Sequence, residues 1–434
     1  MNKKYNLITP EGTRDLLFEE CTTRREIENK LMRLFTDNGF HEVITPFVEF
    51  YDVFDTSTRP FPMESMYKLT DSKGRLMVIR PDSTLPIIRL AETRLKGESR
   101  PLRLCYNQTI YRVNPKEAGR DDEIAQCGVE KIYDKVQADD DSILRLAEKT
   151  LALVSEFVGC ESHFEVINSS EQKHSYYTGV YFKGYIGGYG KPIITGGNYH
   201  INATDAVGFA VNVSAIAKCK SKPQSDTVRI ALTKGRLEKE SLKLFAKMGW
   251  DVSEFDDKGR KLIFTIPGAN VEILLAKAPD VITYVETGVC DIGITGKDMI
   301  EENGGRYSEM LDLGVGKCRF ALIAKKGASF YNGHSIKTVA SKYTGITRRF
   351  FEEKGMDVDI VKIEGSVELA PLLGFADGIV DIVETGATLR ENGLEIIEEI
   401  SDISARVIVN PVKMIMKKER LEAILNKIEG VIAK

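Results

Sequence analysis

Two carboxylates, two threonines and a glycine stand close together near the end of the chain. Asp381, Glu384, Thr385, Gly386, Ala387 and Thr388 lie in the stretch DGIVDIVETGATLRENGL (377–394). Ile379, Val380, Ile382 and Val383 form an apolar run that predicts a buried strand. Gly386 lets the chain turn with its N–H groups open, and both threonine hydroxyls add donors. A turn of small residues between a strand and a helical start cradles a phosphate. Asp381 and Glu384 have the wrong charge for phosphate but suit ribose hydroxyls or a magnesium ion. Phosphate and ribose side by side fit a phosphoribosyl group. A Thr-Gly-x-Thr turn alone is common on protein surfaces; the acidic flank and apolar strand single out this one.

A second turn carries the opposite charge. In VRIALTKGRL (228–237), Val228, Ile230 and Leu232 alternate as a strand does, and Lys234, Gly235 and Arg236 follow as a cationic turn. The next segment, with Leu242, Leu244, Phe245 and Met248, predicts a helix closed by Gly249. Two cations at the mouth of such a turn grip a polyphosphate; by themselves they are more often a solvated basic turn. Val-Glu-Thr-Gly occurs at Val285 and again at Val383. The first copy is expected to end a helix and the second a strand, so the echo is chance and not a repeat.

The whole chain bounds these readings. It has 434 residues, 42% of them hydrophobic, enough for two or three domains with cores of their own. Lys and Arg number 60 against 64 Asp and Glu, a net charge of −4. That balance gives no bulk attraction to nucleic acid or to an acidic membrane. The opening MNKKYNLITPEGTRD has no apolar core for a signal peptide, and no apolar run is long enough to span a membrane. The 7 cysteines are scattered without a C-x-x-C pair, which fits reduced thiols in a cytoplasmic protein. The 5 histidines show no ligand spacing, so no metal site built from side chains is expected.

The elements that position the turns fall into two halves. KCKSKPQSD (218–226) is polar, contains Pro223 and reads as a linker. Before it, Ile27, Leu31, Leu34 and Phe35 share one face of a helix that stops at Asn38-Gly39. FHEVITPFVE (40–49) and MVIRPDSTLPIIR (77–89) read as strand-like segments carrying prolines, and 103–130 as strand, polar loop, strand. Together they predict an α+β domain, an antiparallel sheet with polar residues converging on one face. After the linker, short apolar runs alternate with helical stretches, as in α/β folds. KAPDVITYVETGVCDIGITGKD (277–298) reads helix, Gly288 stop, strand and glycine-rich turn. The last helix has its apolar face at Leu421, Ile424, Leu425 and Ile428.

Six stretches of the second half, in order, resemble one family: ALTKGRL (231–237), YVETGVCDIGITGKD (284–298), LDLGVGKCRFALIA (311–324), YTGITRRFF (343–351), EGSVELAPLLGFADGIVDIVETGATLRENGL (364–394) and ISARVIVN (403–410). Residues 226–434 are similar to the catalytic subunit of ATP phosphoribosyltransferase. The resemblance implies joining the anomeric carbon of phosphoribosyl pyrophosphate to N1 of ATP, with magnesium, in the first step of histidine biosynthesis. It implies two α/β lobes like a periplasmic binding protein, lobe I about 226–325 and 406–434 and lobe II about 326–405. Phosphoribosyl pyrophosphate then falls to Asp381, Thr385, Gly386, Ala387 and Thr388, and ATP to Lys234, Gly235, Arg236, Arg260 and Lys277. Asp381, Glu384, Arg236 and Lys277 are the expected catalytic groups. Lys277 stands where the family usually has Arg, keeping the charge but losing the planar fork. The chain ends after the last helix, resembling the short form that works with a separate regulatory subunit.

The first half is similar to the catalytic core of histidyl-tRNA synthetase, through TPEGTRD (9–15), RPDST (80–84), IYRVNPKEAGRDDEIAQCGVE (110–130), SYYTGVYF (175–182), GGNYH (196–200) and AVGFAVNVSAI (206–216). That implies a class II synthetase-like antiparallel domain over 1–219, joined by 220–225 to the second half. The synthetase's last motif ends in Glu-Arg, the arginine binding the ATP phosphates; here Ser214 and Ala215 occupy those positions, and His174 and Ser175 precede Tyr176 and Tyr177 in place of Arg-Gly-Leu-Asp. Loss of a phosphate clamp removes stabilisation that adenylation needs. Asp82, Thr84, Arg112, Gln126, Glu130, Tyr176 and Tyr177 match the histidine pocket and keep compatible chemistry, although each is also an ordinary polar residue. The expectation is a fusion of regulatory and catalytic subunits: a homo-oligomer inhibited by histidine, with no nucleic-acid partner. An active synthetase with an accessory domain and a solute-binding protein are the rival readings.

Overall fold

The computed structural model describes residues 5–56, 61–113, 121–133, 141–168, 177–202, 204–219 and 226–433. The chain divides into two units, Met1–Gln224 and Ser225–Lys434. The linker expected at 220–225 and the polar loop at 114–120 lie outside the described residues.

In the first unit α1 (Glu19–Asp37) buries Ile27, Leu31 and Phe35 on one stripe and ends at Gly39, whose φ of 80° only glycine adopts without strain. The sheet strands are β1 (His41–Glu42), β5 (Leu102–Tyr111), β6 (Glu123–Tyr133), β7 (Ser162–Asn168), β8 (Tyr177–Ile186), β9 (Ile194–Ile201) and β10 (Thr204–Asn212), in the order β1-β5-β6-β10-β9-β8-β7. All neighbours are antiparallel except β1 and β5. A small sheet, β2 (Val48–Phe50), β4 (Leu76–Ile79) and β3 (Lys68–Thr70), stands apart. Side chains alternate across β6. Ala125, Cys127, Val129 and Tyr133 join the core under α1, α3 (Ser142–Val158) and α4 (Val213–Cys219). Ile132 joins a second cluster on the other face, with Tyr106, Tyr199 and residues of α2 (Thr84–Glu92).

That last helix corrects one expectation. The strand-like reading of 77–89 holds only to Ile79; Thr84 onwards is helical. Asp82 Oδ1 accepts the Leu85 N–H at 3.2 Å, and Pro86 lies in the first turn, where its missing N–H costs nothing. The apolar run is short because the helix is buried, and periodicity cannot separate the two cases.

The second unit has two sheets. The first, β12-β13-β11-β14-β21-β15, comprises β11 (Val228–Thr233), β12 (Ile263–Ile266), β13 (Val271–Ala276), β14 (Ile292–Gly296), β15 (Ser308–Asp312) and β21 (Ala405–Val409). The second, β18-β17-β19-β16-β20, comprises β16 (Cys318–Lys325), β17 (Lys337–Ser341), β18 (Val358–Lys362), β19 (Gly378–Val383) and β20 (Leu394–Ile403). The helices are α5 (Arg236–Lys247), α6 (Ala278–Glu286), α7 (Lys297–Asn303), α8 (Thr344–Glu353), α9 (Leu369–Leu372), α10 (Ala387–Glu391), α11 (Pro411–Met416) and α12 (Lys418–Ile432). The two copies of Val-Glu-Thr-Gly do differ: the first closes α6 and the second follows β19.

The chain passes between these lobes earlier than expected. Near Lys325 was the expected crossing, but β16 already pairs with β19 and β20 in lobe II, so the crossing lies between Asp312 and Cys318. Gly314 and Gly316, both at φ 66°, turn the chain there. The return is at Ser404, beside the outward strand: Leu313 donates to Ala405 O and Ala405 to Val315 O, each at 2.9 Å. The residues of β16 suit either sheet; only long-range pairing assigns them.

Candidate active site

β11, β13 and β14 run parallel, so their carboxyl ends share an edge, where ligands of open α/β sheets bind. Thr233 pairs in register with Ala276 and Leu232 with Ile294. The next residues, Lys234 and Lys277, therefore leave neighbouring strands together, and the Lys234 N–H donates to Ala276 O at 2.9 Å. Both side chains are exposed, as is Arg236. Gly235 has φ 97°, and its N–H donates to Glu238 Oε2 at 3.2 Å. Lys258 holds the other oxygen of that buried carboxylate at 2.5 Å. The cationic turn is thus shaped by Glu238 before any ligand arrives. Arg260 is exposed two residues beyond Lys258.

Lobe II presents the matching edge. β17 and β19 are parallel, with Ser341 opposite Val380. Asp381 is half-buried, and burial pushes its carboxyl up to about 6, against the pull of the Ile382 N–H and Lys342. Gly386 caps α10 at φ 68°, a left-handed conformation. Thr385 Oγ1 accepts the Ala387 N–H at 3.4 Å, and Arg390 Nη1 donates to Thr385 O at 3.1 Å. Thr385, Ala387 and Thr388 are exposed.

Two contacts join the edges. Arg236 Nη1 lies 2.5 Å from Glu384 Oε2. Tyr343, at the start of α8, donates its hydroxyl to Asp298 Oδ2 of α7 at 3.2 Å. Burial raises the Asp298 carboxyl, and burial followed by the charges of Asp298 and Asp381 raises the Tyr343 phenol. The structure therefore gathers Arg236, Glu384, Asp381 and the Thr385–Thr388 turn, and adds Asp298, Lys342, Tyr343 and Arg390. Sequence reading passed over these four. Asp298 and Tyr343 lie in stretches it quoted, yet nothing local says that residues 45 apart meet.

In the first unit the expected histidine-pocket residues gather on the α2 face of the sheet. Glu130 is buried; Thr84 donates to its Oε1 at 2.7 Å and Tyr199 to its Oε2 at 2.5 Å. Gly208 is its register partner on β10, and a Cβ there would lie 1.9 Å from Glu130 Oε2, so only glycine fits. Arg112 donates to Pro81 O at 2.6 Å and to Asp82 Oδ2 at 3.4 Å. Gln126, half-buried, stands opposite Gln108 and Asn212. Tyr177 is opposite Tyr199 and stacks on Tyr181 at 4.6 Å. Tyr176 lies outside the described residues. Tyr199 is the residue that sequence reading missed, inside the quoted GGNYH. Ser214 Oγ accepts the Ala125 N–H at 2.9 Å and Ala215 is buried in the core, so neither position offers a cation.

Among the described residues no group of three or more His, Cys, Asp or Glu is arranged to hold a metal ion, and no helix is long and apolar enough to cross a membrane.

Comparison with known proteins divides the chain in the same way. A family model of ATP phosphoribosyltransferase matches residues 277–430, and one of histidyl-tRNA synthetase matches 12–164 and 161–216. An ATP phosphoribosyltransferase of Clostridium kluyveri is 56% identical over 202 residues, 46% of this chain and 92% of the relative. One from Clostridium acetobutylicum is 52% identical over 209 residues, 48% of this chain and 97% of that protein. Among solved structures, an ATP phosphoribosyl transferase complex from Thermotoga maritima matches with a TM-score of 0.42 and 34% identity, over 48% of this chain and 99% of that one. A synthetase-like unit precedes a transferase-like one, and through the second the chain belongs to the ATP phosphoribosyltransferase family.

Proposed function

We propose that this chain condenses ATP with phosphoribosyl pyrophosphate to N1-(5-phosphoribosyl)-ATP and pyrophosphate, and that its first unit binds histidine and inhibits the second. The observation that carries the reading is the pairing of edges: a cationic turn at Lys234–Arg236 facing the carboxylate-and-threonine turn Asp381–Thr388 through the Arg236–Glu384 ion pair. The lobes then close on substrate in the manner of a periplasmic binding protein.

Transfer passes through a ribosyl centre with oxocarbenium character, so the work is positioning and charge stabilisation, with no covalent nucleophile. Thr385, Gly386, Ala387 and Thr388 hold the 5′-phosphate through hydroxyls and backbone N–H groups. Asp381, when ionised, accepts the ribose hydroxyls. Lys234 and Arg236 neutralise the departing pyrophosphate, while Lys277 and Arg260 serve the phosphates of ATP. Lys277 does so as a point charge, without the bidentate fork of arginine. Magnesium, when bound, would supply charge neutralisation on the pyrophosphate. Asp381 is a hard-oxygen group of the kind that would hold it beside substrate phosphates.

In the first unit Glu130 takes the α-ammonium of histidine, and Gln126 with Tyr176 and Tyr177 takes the imidazole. Feedback between two sites requires a coupling free energy of about 1–3 kcal/mol. We assign it to a cytoplasmic homo-oligomer whose regulatory unit is 1–219 and whose catalytic unit is 226–434. The test is a spectroscopic product assay on the purified chain with ATP, phosphoribosyl pyrophosphate and magnesium. Turnover without an added protein, and its suppression by histidine, is the expected result. No turnover until a second protein is supplied would overturn the reading.

A further inference from the structure

α8 begins without a cap of its own. Tyr343 occupies the N-cap position, and its side chain accepts none of the first helical N–H groups. The acceptor comes from the other lobe. Glu302, near the end of α7, accepts the Gly345 N–H on Oε1 and the Ile346 N–H on Oε2, each at 2.9 Å. A carboxylate on two N–H groups at the positive end of a helix is a charge-assisted cap. Gly345 is explained by the same contact: a Cβ there would lie 3.0 Å from Glu302 Oε2. One turn on, Arg349 donates to Glu301 O at 2.6 Å. Met299 and Ile300 of α7 share an apolar cluster with Tyr343, Ile346 and Phe350 of lobe II.

What this cap holds is the edge of the active site. The turn ahead of α8 carries Lys342 and Tyr343. Ser341 Oγ accepts the Tyr343 N–H at 2.9 Å and donates to Val380 O at 2.7 Å, tying that turn to the residue before Asp381. Hydrogen bonds at each end, joined by the backbone from Tyr343 to Gly345, thus link Glu302 of lobe I to the carboxylate strand of lobe II.

We infer that Glu302 is a positioning residue for the transfer reaction, fixing the phosphoribosyl-binding edge of lobe II in register with the nucleotide-binding edge of lobe I. It acts through α8 and the Ser341–Tyr343 turn and touches neither substrate. The inference rests on the assignment of ribose phosphate to lobe II and ATP to lobe I proposed above. It has a distinct kinetic signature. Loosening the cap leaves each lobe's own binding groups in place and harms only their mutual alignment, and alignment is expressed in kcat.

The experiment compares the full chain with Glu302→Ala, Glu302→Gln and Gly345→Ala, varying each substrate in turn. Glu302→Ala is expected to lower kcat about 10- to 100-fold with both KM values held within about threefold. Glu302→Gln keeps one accepting oxygen and falls between it and wild type. Gly345→Ala crowds the same carboxylate from the opposite side and lowers kcat in the same pattern, so it decides the matter together with Glu302→Gln if the alanine variant does not fold. Wild-type kcat per folded molecule with only a lower Tm would make Glu302 a plain structural cap and overturn the inference. So would a rise in one KM at constant kcat. An inactive wild-type chain would overturn the proposed function and this inference with it; unchanged kcat in variants of an active enzyme overturns the inference alone.

Discussion

The two sites are built on opposite plans. In the first unit the central carboxylate is buried, both of its oxygens are bonded, and a glycine opposite leaves it room. In the second unit the cations, Glu384 and the threonine turn are exposed, and the Arg236–Glu384 ion pair and the Tyr343–Asp298 bond are among the contacts that join the halves. A site that only binds gains from being assembled in advance, since ordering lost on binding is then small. A site that admits two substrates and releases two products must open, and its groups stay solvated until substrate replaces water. The same kind of substitution should therefore act differently in the two units.

The largest effect is expected where the exposed site meets the charge that develops in the reaction. If the proposed cradle holds the 5′-phosphate, Thr385→Val and Thr388→Val each remove a donor to it, and kcat/KM should fall on the order of 10- to 1000-fold. Asp381→Asn should damage use of phosphoribosyl pyrophosphate more than binding of ATP. Near-native kinetics in both threonine variants, with an intact fold, would show that the phosphate sits elsewhere.

The preassembled site predicts a smaller change of a different kind. Glu130→Gln keeps the volume beside Gly208 but loses the charge proposed to face the α-ammonium. The histidine concentration giving half inhibition should rise about 10- to 100-fold, the range for a hydrogen bond to a charged group. An inhibition titration reads it directly. Unaltered sensitivity would remove Glu130 from the regulatory site and leave the first unit a structural module.

What the sequence disclosed follows from how local each signal is. The stripes on α1 and α12 and the glycine stops at Gly39, Gly249 and Gly288 were legible because periodicity and φ preference act within a few residues. So was the Asp381–Thr388 turn. The helix at Thr84 was hidden by a short, wholly apolar run that suits either element. The lobe to which β16 belongs, and the meetings of Asp298 with Tyr343 and of Glu302 with α8, are fixed by pairings between distant segments. Tyr199 stood in a quoted motif, but its reach to Glu130 depends on the register of β9, β10 and β6.

Acidity tests the second site through Asp381. Asp381 is a half-buried carboxyl in a site whose cations and threonine turn are exposed, and its pKa is pushed up to about 6. If Asp381 holds the ribose hydroxyls as proposed, it accepts them most strongly when ionised, so kcat/KM for phosphoribosyl pyrophosphate should fall as pH drops through about 6, by up to roughly tenfold per further unit. The stability linkage has the reverse sense. A folded-state pKa above the unfolded value of 3.8 contributes stability that is full below that value and lost as pH rises through about 6. Acidification should thus weaken catalysis without unfolding the lobe through this group. A pH–rate profile that lacks the acid limb, or that keeps it in Asp381→Asn, would break the assignment.

The smallest effect carries the sharpest sign. The side chains of Arg236 and Glu384 are 56% and 53% exposed, so their ion pair contributes about 0–1 kcal/mol to holding the lobes together, and salt screens it. If Arg236 belongs to the pyrophosphate, Glu384 competes with substrate for it in the empty cleft. Glu384→Gln should then lower the KM for phosphoribosyl pyrophosphate, by no more than about fivefold, the factor that 1 kcal/mol allows. Arg236→Ala should raise it. The two substitutions remove the same contact yet move the same constant in opposite directions, which no account based on stability alone produces. Should Glu384→Gln instead raise that KM tenfold or more, Glu384 itself holds the substrate, and the pair in the open cleft is a placeholder for a carboxylate–ribose contact.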